Sequence, residues 1–384
     1  MLMDHALQDL IDRVRDAKTH HAPLLIRGSG SKDFYGESLQ GELLDTRAYT
    51  GIVAYEPSEL VVTVRAGTPL SELESLLAER DQCLAFEPPR FGSFDGLHGG
   101  TCGGMVATGL SGPARASVGS VRDYVLGVQM INGRGEHLTF GGQVIKNVAG
   151  YDVSRLMVGA LGTLGLLTDI SLKVLPIASA EATLVFQMDQ AGALAQLHKW
   201  GAQPLPLNAS CWVNDNSTGQ SQELLFVRLR GAVAAVESAC KKMLFEVSGS
   251  RMDTQQAAAD WAACRDQTLP FFTPPSKSAE PPALWRLSVP QTTPALKLPW
   301  AQLVEWHGGQ RWLWAPESAK VHLRKVAHEA GGSASIFIAS PTATTGARGR
   351  FDTLEPTLSK IHQRLKAEFD PAGIFNRGRM YLDL

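Results

Sequence analysis

The amino-acid sequence predicts an α+β protein with two domains and a C-terminal segment that completes the first. Two observations carry this prediction. Residues 1–176 hold 24 of the 37 glycines but none of the 8 tryptophans, which all lie downstream. A strongly apolar strand, 166–175, then closes the glycine-rich part just before Pro176. The predicted domains are therefore 1–176 and 177–350, with a C-terminal segment at 351–384.

The first domain is predicted from short strands and one hairpin. Segments 23–27 and 60–66 are rich in branched apolar residues, which favours buried strands. Segments 127–131 and 136–140 flank an Asn-Gly turn, which is typical of a hairpin. The many glycines indicate that the backbone approaches another group closely, because glycine has no side chain to prevent it.

The second domain shows alternating strands and helices. Strands are predicted at 182–187 and 224–230, each followed by a helix, at 191–200 and 232–245. This order is typical of a ferredoxin-like α+β domain. The stretch 270–299 carries eight of the 21 prolines, so we expect an irregular crossing there.

Composition excludes several classes of function. The net charge is −2, and no block of basic residues is present, which argues against nucleic acid as the main ligand. No apolar run is long enough to span a membrane, and the N-terminal residues predict an amphipathic helix, not a signal peptide. The five cysteines form no C-x-x-C pair, so we expect neither an iron–sulfur cluster nor a metal site in this chain, and a cytoplasmic location.

Three glycine-rich segments are candidates for ligand binding. The first, 23–32, reads PLLIRGSGSK, and its small residues would let successive N–H groups face an anionic pyrophosphate. An ordinary tight turn is the alternative, and the spacing does not fit a Rossmann fingerprint. The second, 99–105, predicts either a surface for a flat aromatic ligand or a hinge. The third, 159–165, places glycine within an apolar run, which indicates close approach to backbone or ligand.

Taken in order, these segments and the tail FDPAGIFNRGR at 369–379 resemble the VAO/PCMH family of FAD-binding proteins. The resemblance implies a PCMH-type FAD-binding domain of two α+β subdomains, a ferredoxin-like cap domain and a tail that returns to the flavin. Arg377 stands where the family usually has proline. By resemblance, the cofactor-binding residues are Arg27, Gly28, Ser29, Gly30, Ser31, Pro88, Thr101, Gly103, Gly104, Gly119, Gly162, Thr163, Gly165, Asn376 and Arg379.

Segments 145–165 and 304–313 are most similar to the FAD-binding subunits of bacterial glycolate oxidases. This similarity implies a complex with a larger catalytic FAD subunit and an iron–sulfur subunit, which together oxidise glycolate to glyoxylate. It also implies a cytoplasmic protein that can lie at the inner membrane through its partners. A stand-alone FAD enzyme for another hydroxy acid or alcohol, or a scaffold without flavin, are the alternatives.

Two departures from the family affect the chemistry. Members with covalent FAD place a histidine where this chain has Ser31, so we expect a non-covalent flavin. Members that oxidise 2-hydroxy acids carry H-x-G-D-G-N-x-H, which segment 307–314 does not reproduce. We therefore interpret His307 as structural or interfacial and His98 as a loop residue beside the presumed flavin. The catalytic residues stay undetermined.

Overall fold

The computed structural model describes residues 4–38, 40–92, 99–142, 152–215, 221–275, 280–341 and 349–384. Contacts within the chain divide it into two compact units. Unit 1 comprises residues 1–110, 120–176 and 353–384, and unit 2 comprises residues 111–119 and 177–352. Each unit is thus assembled from segments that are distant in sequence.

The helices and strands are bounded as follows. The helices are α1 (His5–His20), α2 (Leu70–Ala78), α3 (Cys102–Thr108), α4 (Arg115–Val118), α5 (Val121–Tyr124), α6 (Val153–Leu156), α7 (Gln190–Gly201), α8 (Val233–Glu246), α9 (Thr254–Asp266), α10 (Lys320–Glu329) and α11 (Pro356–Phe369). The strands are β1 (Leu24–Arg27), β2 (Glu42–Asp45), β3 (Ile52–Glu56), β4 (Val61–Arg65), β5 (Gln82–Cys83), β6 (Val125–Ile131), β7 (His137–Gly141), β8 (Leu166–Lys173), β9 (Leu175–Pro176), β10 (Ala180–Gln187), β11 (Leu207–Asp215), β12 (Gln222–Gly231), β13 (Ser250–Arg251), β14 (Ala283–Ser288), β15 (Gln302–Glu305), β16 (Gln310–Ala315) and β17 (Ser333–Ile338).

Unit 1 is built on an antiparallel sheet with strand order β3-β4-β8-β6-β7. Strand β8 lies at its centre and is buried almost throughout, as expected for an apolar strand covered on both faces. The predicted hairpin is confirmed, because β6 pairs with β7 in antiparallel register. A separate parallel pair, β1 with β2, carries the first glycine-rich segment at its end.

The N-terminal helix and the C-terminal tail share one core in unit 1. The predicted apolar stripe of α1 is confirmed, since Leu10, Ile11 and Val14 are buried there. They pack in one cluster with Ile374 and Phe375 of the tail. Phe375 also forms a parallel bridge to Leu24 of β1. Burial of these side chains fixes the tail against the strand that leads into the glycine loop.

Unit 2 contains one antiparallel sheet with strand order β13-β10-β12-β11-β15-β16-β14-β17. Its first four strands, with α7 and α8 between them, follow the 4-1-3-2 order of a ferredoxin-like motif. The last four repeat this order in mirror arrangement, and β11 joins the halves by pairing with β15. The predicted ferredoxin-like fold is therefore confirmed, and it occurs twice.

The proline-rich stretch 270–299 is more regular than the sequence indicated. It contains β14, which pairs with both β16 and β17, so it is an interior strand. The prediction of an irregular crossing is wrong for this part. The prolines at 281, 282 and 290 flank the strand and do not interrupt it, so every ladder N–H is retained.

Candidate cofactor-binding cleft

A cleft in unit 1 brings the glycine-rich segments and the tail together. It encloses about 870 Å³, including the space at its open mouth. Its polar lining comes from the loop 27–33, from Thr101 and from the tail residues Asn376 and Arg379. Its apolar lining includes Ile26, Ala66, Ala107, Met157, Leu161 and Leu166. This mixture of an apolar wall and a few polar groups is typical of small-molecule sites.

The loop that follows β1 presents a row of free backbone donors. No described residue accepts a hydrogen bond from the N–H groups of residues 28–32, whereas Asp33 donates to Gly30 at 3.1 Å and closes the turn. Gly30 has φ +75°, a conformation that glycine adopts without strain. Successive unpaired N–H groups form a concave site for an anion.

Two cations accompany this loop. Arg27 forms an ion pair with Asp33 at 2.5 Å, yet its buried Nε has no hydrogen-bond partner. Lys32 is buried, with 8% of its surface exposed, and among the described residues its ammonium donates to Ser31 Oγ alone, at 3.4 Å. Burial lowers the pKa of Lys32 to about 8. Both cations leave donor capacity unused inside the cleft.

The segment before α3 passes close to the loop because it lacks side chains. Gly100 has φ +87°, and a Cβ there would lie 2.7 Å from Ser31 Oγ and 2.9 Å from Lys32 Nζ. A Cβ at Gly28 would collide with Thr101 Oγ1. Thr101 itself caps α3, its Oγ1 accepting from Gly104 N at 3.2 Å. These glycines are therefore required by contact between two segments.

Asn376 connects the tail to two other segments of the cleft. Its Oδ1 accepts from Ile26 N at 2.8 Å, and its Nδ2 donates to Leu161 O at 2.7 Å. A Cβ at Gly162 would lie 2.7 Å from the same Nδ2, so only glycine leaves room for it. The side chain is buried and forms hydrogen bonds with both β1 and the third glycine segment.

Two further cations hold the tail in place. Arg379 donates to the carbonyl oxygens of Glu37 at 2.7 Å, and of Lys32 and Asp33 at 3.2 Å each. Lys366 of α11 donates to Thr163 O, Phe375 O and Asp370 Oδ2 at 2.7–2.8 Å. Burial lowers the pKa of Lys366, while Asp370 opposes this shift.

Sequence and fold comparisons identify the family. Residues 5–141 match the FAD binding domain family. Over 378 residues the chain is 43% identical to glycolate oxidase subunit GlcE of Escherichia coli K12, covering 98% of each protein. The chain belongs to the GlcE family. Glycolate oxidase subunit GlcD of Bacillus subtilis is 31% identical over 179 residues, which is 46% of this chain and 37% of that one.

A solved structure shows the fold of this GlcE-family chain. Alkyldihydroxyacetonephosphate synthase superposes with a TM-score of 0.65 at 15% identity, covering 97% of this chain and 76% of that protein. A likeness at this identity shows the fold alone. Together with the family match it confirms the predicted PCMH-type α+β fold. The family match and the similarity to GlcE confirm FAD as the cofactor.

The cleft of this GlcE-family chain fits FAD in three respects. The unpaired N–H groups of the loop suit a diphosphate. The unpartnered Arg27 Nε and the buried Lys32 ammonium supply positive charge. The apolar wall suits a flavin ring, which supplies hydride and electron chemistry when bound.

The structure gathers most of the predicted cofactor residues. Those that line the cleft are Arg27, Gly28, Ser29, Gly30, Ser31, Thr101, Gly103, Gly104, Gly162, Gly165, Asn376 and Arg379. Pro88 and Thr163 are buried but do not line it. Gly119 belongs to unit 2, where its N–H donates to Arg115 O at 3.0 Å. Cofactor contact by these three stays a prediction.

Lys32 is a cleft residue that the sequence analysis did not select, although it ends the first glycine segment. Ala66 and Thr108 also line the cleft without a local sequence signal. His98, residues 145–151 of the family segment and residues 342–348 lie outside the described residues.

His307 in unit 2 is a half-buried imidazole. Its Nδ1 lies 2.9 Å from Ser210 Oγ and its Nε2 lies 3.1 Å from Ser117 Oγ. Burial lowers the pKa of His307 to about 4, so the ring carries no proton charge near neutral pH. Its backbone is left-handed, with φ 54°, and its N–H donates to Ser210 Oγ at 3.0 Å. These contacts agree with the structural interpretation of His307.

Proposed function

We propose that this chain is an FAD-holding subunit of a glycolate oxidase complex and that the cleft in unit 1 is its flavin site. Oxidation of glycolate to glyoxylate releases two electrons and two protons, which a flavin can accept. The match to GlcE over 98% of both chains supports the substrate and the assembly. The observation that carries the cofactor assignment is the cleft itself, with its unpaired donors and buried cations.

The described lining of the cleft supports a role within a complex, because it offers no suitable general base. Among the described lining residues the ionisable groups are Arg27, Lys32, Asp33 and Arg379. Asp33 is engaged by Arg27, and Arg379 is engaged by three carbonyl groups. Removal of the hydroxyl proton from glycolate requires a base, which contributes about 10²–10⁴-fold in rate. We therefore infer that a catalytic FAD subunit performs the substrate oxidation.

The proposed partners also include an iron–sulfur subunit that accepts the electrons. Within the described residues no three histidine, cysteine or carboxylate side chains are placed to hold a metal. The described helices include none that is long and apolar enough to cross a bilayer. Attachment at the inner membrane through these partners belongs to the same proposal.

A glycine substitution tests the cleft assignment. Gly104 lines the cleft from α3, and a Cβ there meets only Thr101 Oγ1, at 3.3 Å. Gly104→Leu should fill the cleft and release FAD while the chain stays folded. Gly201→Leu is the matched control, because Gly201 also lies in a helix and its Cβ would meet no described atom of the surrounding chain within 4 Å. Equal flavin content in both purified variants would refute the assignment.

Affinity purification of the tagged chain from its native host tests the assembly. The proposal predicts that a second flavoprotein and a cysteine-rich protein copurify, with iron and more than one FAD per tagged chain. A tagged chain that purifies alone, without iron, and is reduced by glycolate would favour the stand-alone enzyme.

A further inference from the structure

Lys32 is a buried cation that has no counter-ion among the described residues. Among the described residues no carboxylate lies within 4 Å of its ammonium, which contacts Ser31 Oγ at 3.4 Å and lies 5.9 Å from the centroid of the Phe91 ring. Removing an ammonium from water without pairing it is costly. Such a group persists where it has a ligand to bind.

The charged groups around Lys32 leave it free for an anion. Asp33, the next residue, forms an ion pair with Arg27 at 2.5 Å, and Arg379 donates to the backbone carbonyl of Lys32 at 3.2 Å. The nearby Cys102 thiol stays neutral, because burial raises its pKa. Asp33 therefore offsets the charge of Arg27, whereas no described carboxylate pairs with the Lys32 ammonium.

The space beside the ammonium is kept open by the backbone. The ammonium and Ser31 Oγ both lie within 3 Å of the position that a Gly100 side chain would occupy. The unpartnered Arg27 Nε and the unpaired N–H groups of residues 28–32 belong to the same loop. All of these groups are donors, so an anion with several acceptor oxygens would satisfy them together.

We propose that Lys32 is the residue by which the cleft selects an anionic dinucleotide, with its ammonium paired to a phosphate group of FAD. This inference concerns the cofactor and holds whether or not glycolate is the substrate. The unpaired cation destabilises the chain in the absence of cofactor and contributes affinity when the phosphate is bound.

The pairing makes FAD affinity depend on pH. The protonated ammonium binds the phosphate, and burial in the free chain lowers the pKa of Lys32 to about 8, so half of the ammonium groups have lost their proton at that pH. Bound phosphate favours the charged form and raises the pKa of Lys32. Affinity for FAD is therefore highest below pH 8 and falls as the pH rises above it.

The test compares Lys32→Met with Lys18→Met, an exposed lysine of α1 in the same unit. FAD, ADP and riboflavin are titrated into the full-length apoprotein between pH 6.5 and 9.5. At pH 7, Lys32→Met should weaken FAD and ADP by about 10- to 100-fold, the range of a charge-assisted hydrogen bond. Riboflavin should bind unchanged, and the decline in FAD affinity above pH 8 should disappear.

The melting temperature of the apoprotein separates binding from structure. Lys32→Met should melt above the wild-type apoprotein at pH 7, because an unpaired buried charge is removed. Unchanged FAD affinity, or equal weakening of FAD and riboflavin, would overturn the proposal. A lower melting temperature in both Lys32→Met and Lys32→Gln would assign Lys32 to the fold and also overturn it.

Discussion

Ser31 is the residue that leads us to expect a flavin held without a covalent bond. Its side chain is buried in the cleft and its Oγ accepts from Lys32. A serine hydroxyl does not form the bond that histidine makes to the flavin in covalent family members. We predict that trichloroacetic acid precipitation leaves all yellow colour in the supernatant. Flavin fluorescence that remains with the polypeptide on a denaturing gel would contradict this.

His307 provides a residue-scale prediction of pH dependence. Its pKa is 6.5 in the unfolded chain and about 4 in the fold, because burial disfavours the charged ring. The unfolded state therefore binds more protons between these values. The stability contributed by His307 is complete above pH 6.5 and is lost as the pH falls towards 4, by ~3 kcal/mol at most.

The substitution His307→Asn should flatten this pH profile. Asparagine tolerates the left-handed backbone at this position and does not titrate. Urea midpoints measured at pH 7 and pH 4.5 should differ less in this variant than in the wild type. His322→Asn removes an exposed histidine of α10 and should leave the difference unchanged. Identical pH profiles for wild type and His307→Asn would exclude the predicted shift.

At the scale of elements, Lys366 links α11 by hydrogen bonds to the tail and to the third glycine segment. Lys366→Met leaves Asp370 buried with two donors from the described backbone, Ile374 N and Phe375 N. Breaking a buried ion pair costs roughly 3–5 kcal/mol. We expect the free energy of unfolding, measured in urea, to fall by this amount. We also expect FAD to be released faster, because Asn376 and Arg379 lie on the loosened tail.

Lys360→Met is the control for this prediction. Lys360 is exposed on the same helix, so its loss removes equal charge without touching the tail. A stability loss of equal size in both variants would show that the buried contacts of Lys366 contribute little. Deletion of residues 370–384 should release the flavin more completely than Lys366→Met.

The elements also show which structural features a sequence pattern can predict. The hairpin β6–β7 and strand β8 depend on local turn chemistry and on apolar runs, which are visible in the sequence. Strand β14 was missed because prolines surround it and tertiary pairing on both sides stabilises it. The second ferredoxin-like half could not be predicted either, since residues 289–301 replace its first helix with irregular chain.

For the cleft, too, local sequence patterns predict some residues and not others. Residues 28–31 were predicted because small residues after a strand have a local consequence, an exposed row of N–H groups. Asn376 and Arg379 entered through family resemblance alone, over 340 residues from the loop they contact. The burial of Lys32 depends on the distant Gly100 and Phe91, and lysine is ordinarily exposed, so no local pattern indicates it.

At the scale of the whole molecule, the chain combines an FAD-binding domain with a cleft that holds no acid–base pair among its described residues. This combination suits a subunit that binds FAD and depends on partners for turnover. The 43% identity to GlcE extends over both units, so the second unit shares the family resemblance. Assembly with partners, not the isolated chain, is expected to determine activity.

Anaerobic reduction by glycolate tests this central claim most directly. The purified FAD-loaded chain is mixed with millimolar glycolate in a stopped-flow spectrophotometer, alone and with its copurified partners. We predict that the flavin absorbance of the isolated chain stays unchanged over minutes, whereas the complex bleaches rapidly. Complete bleaching of the isolated chain within seconds would contradict the account and show that this chain oxidises glycolate by itself.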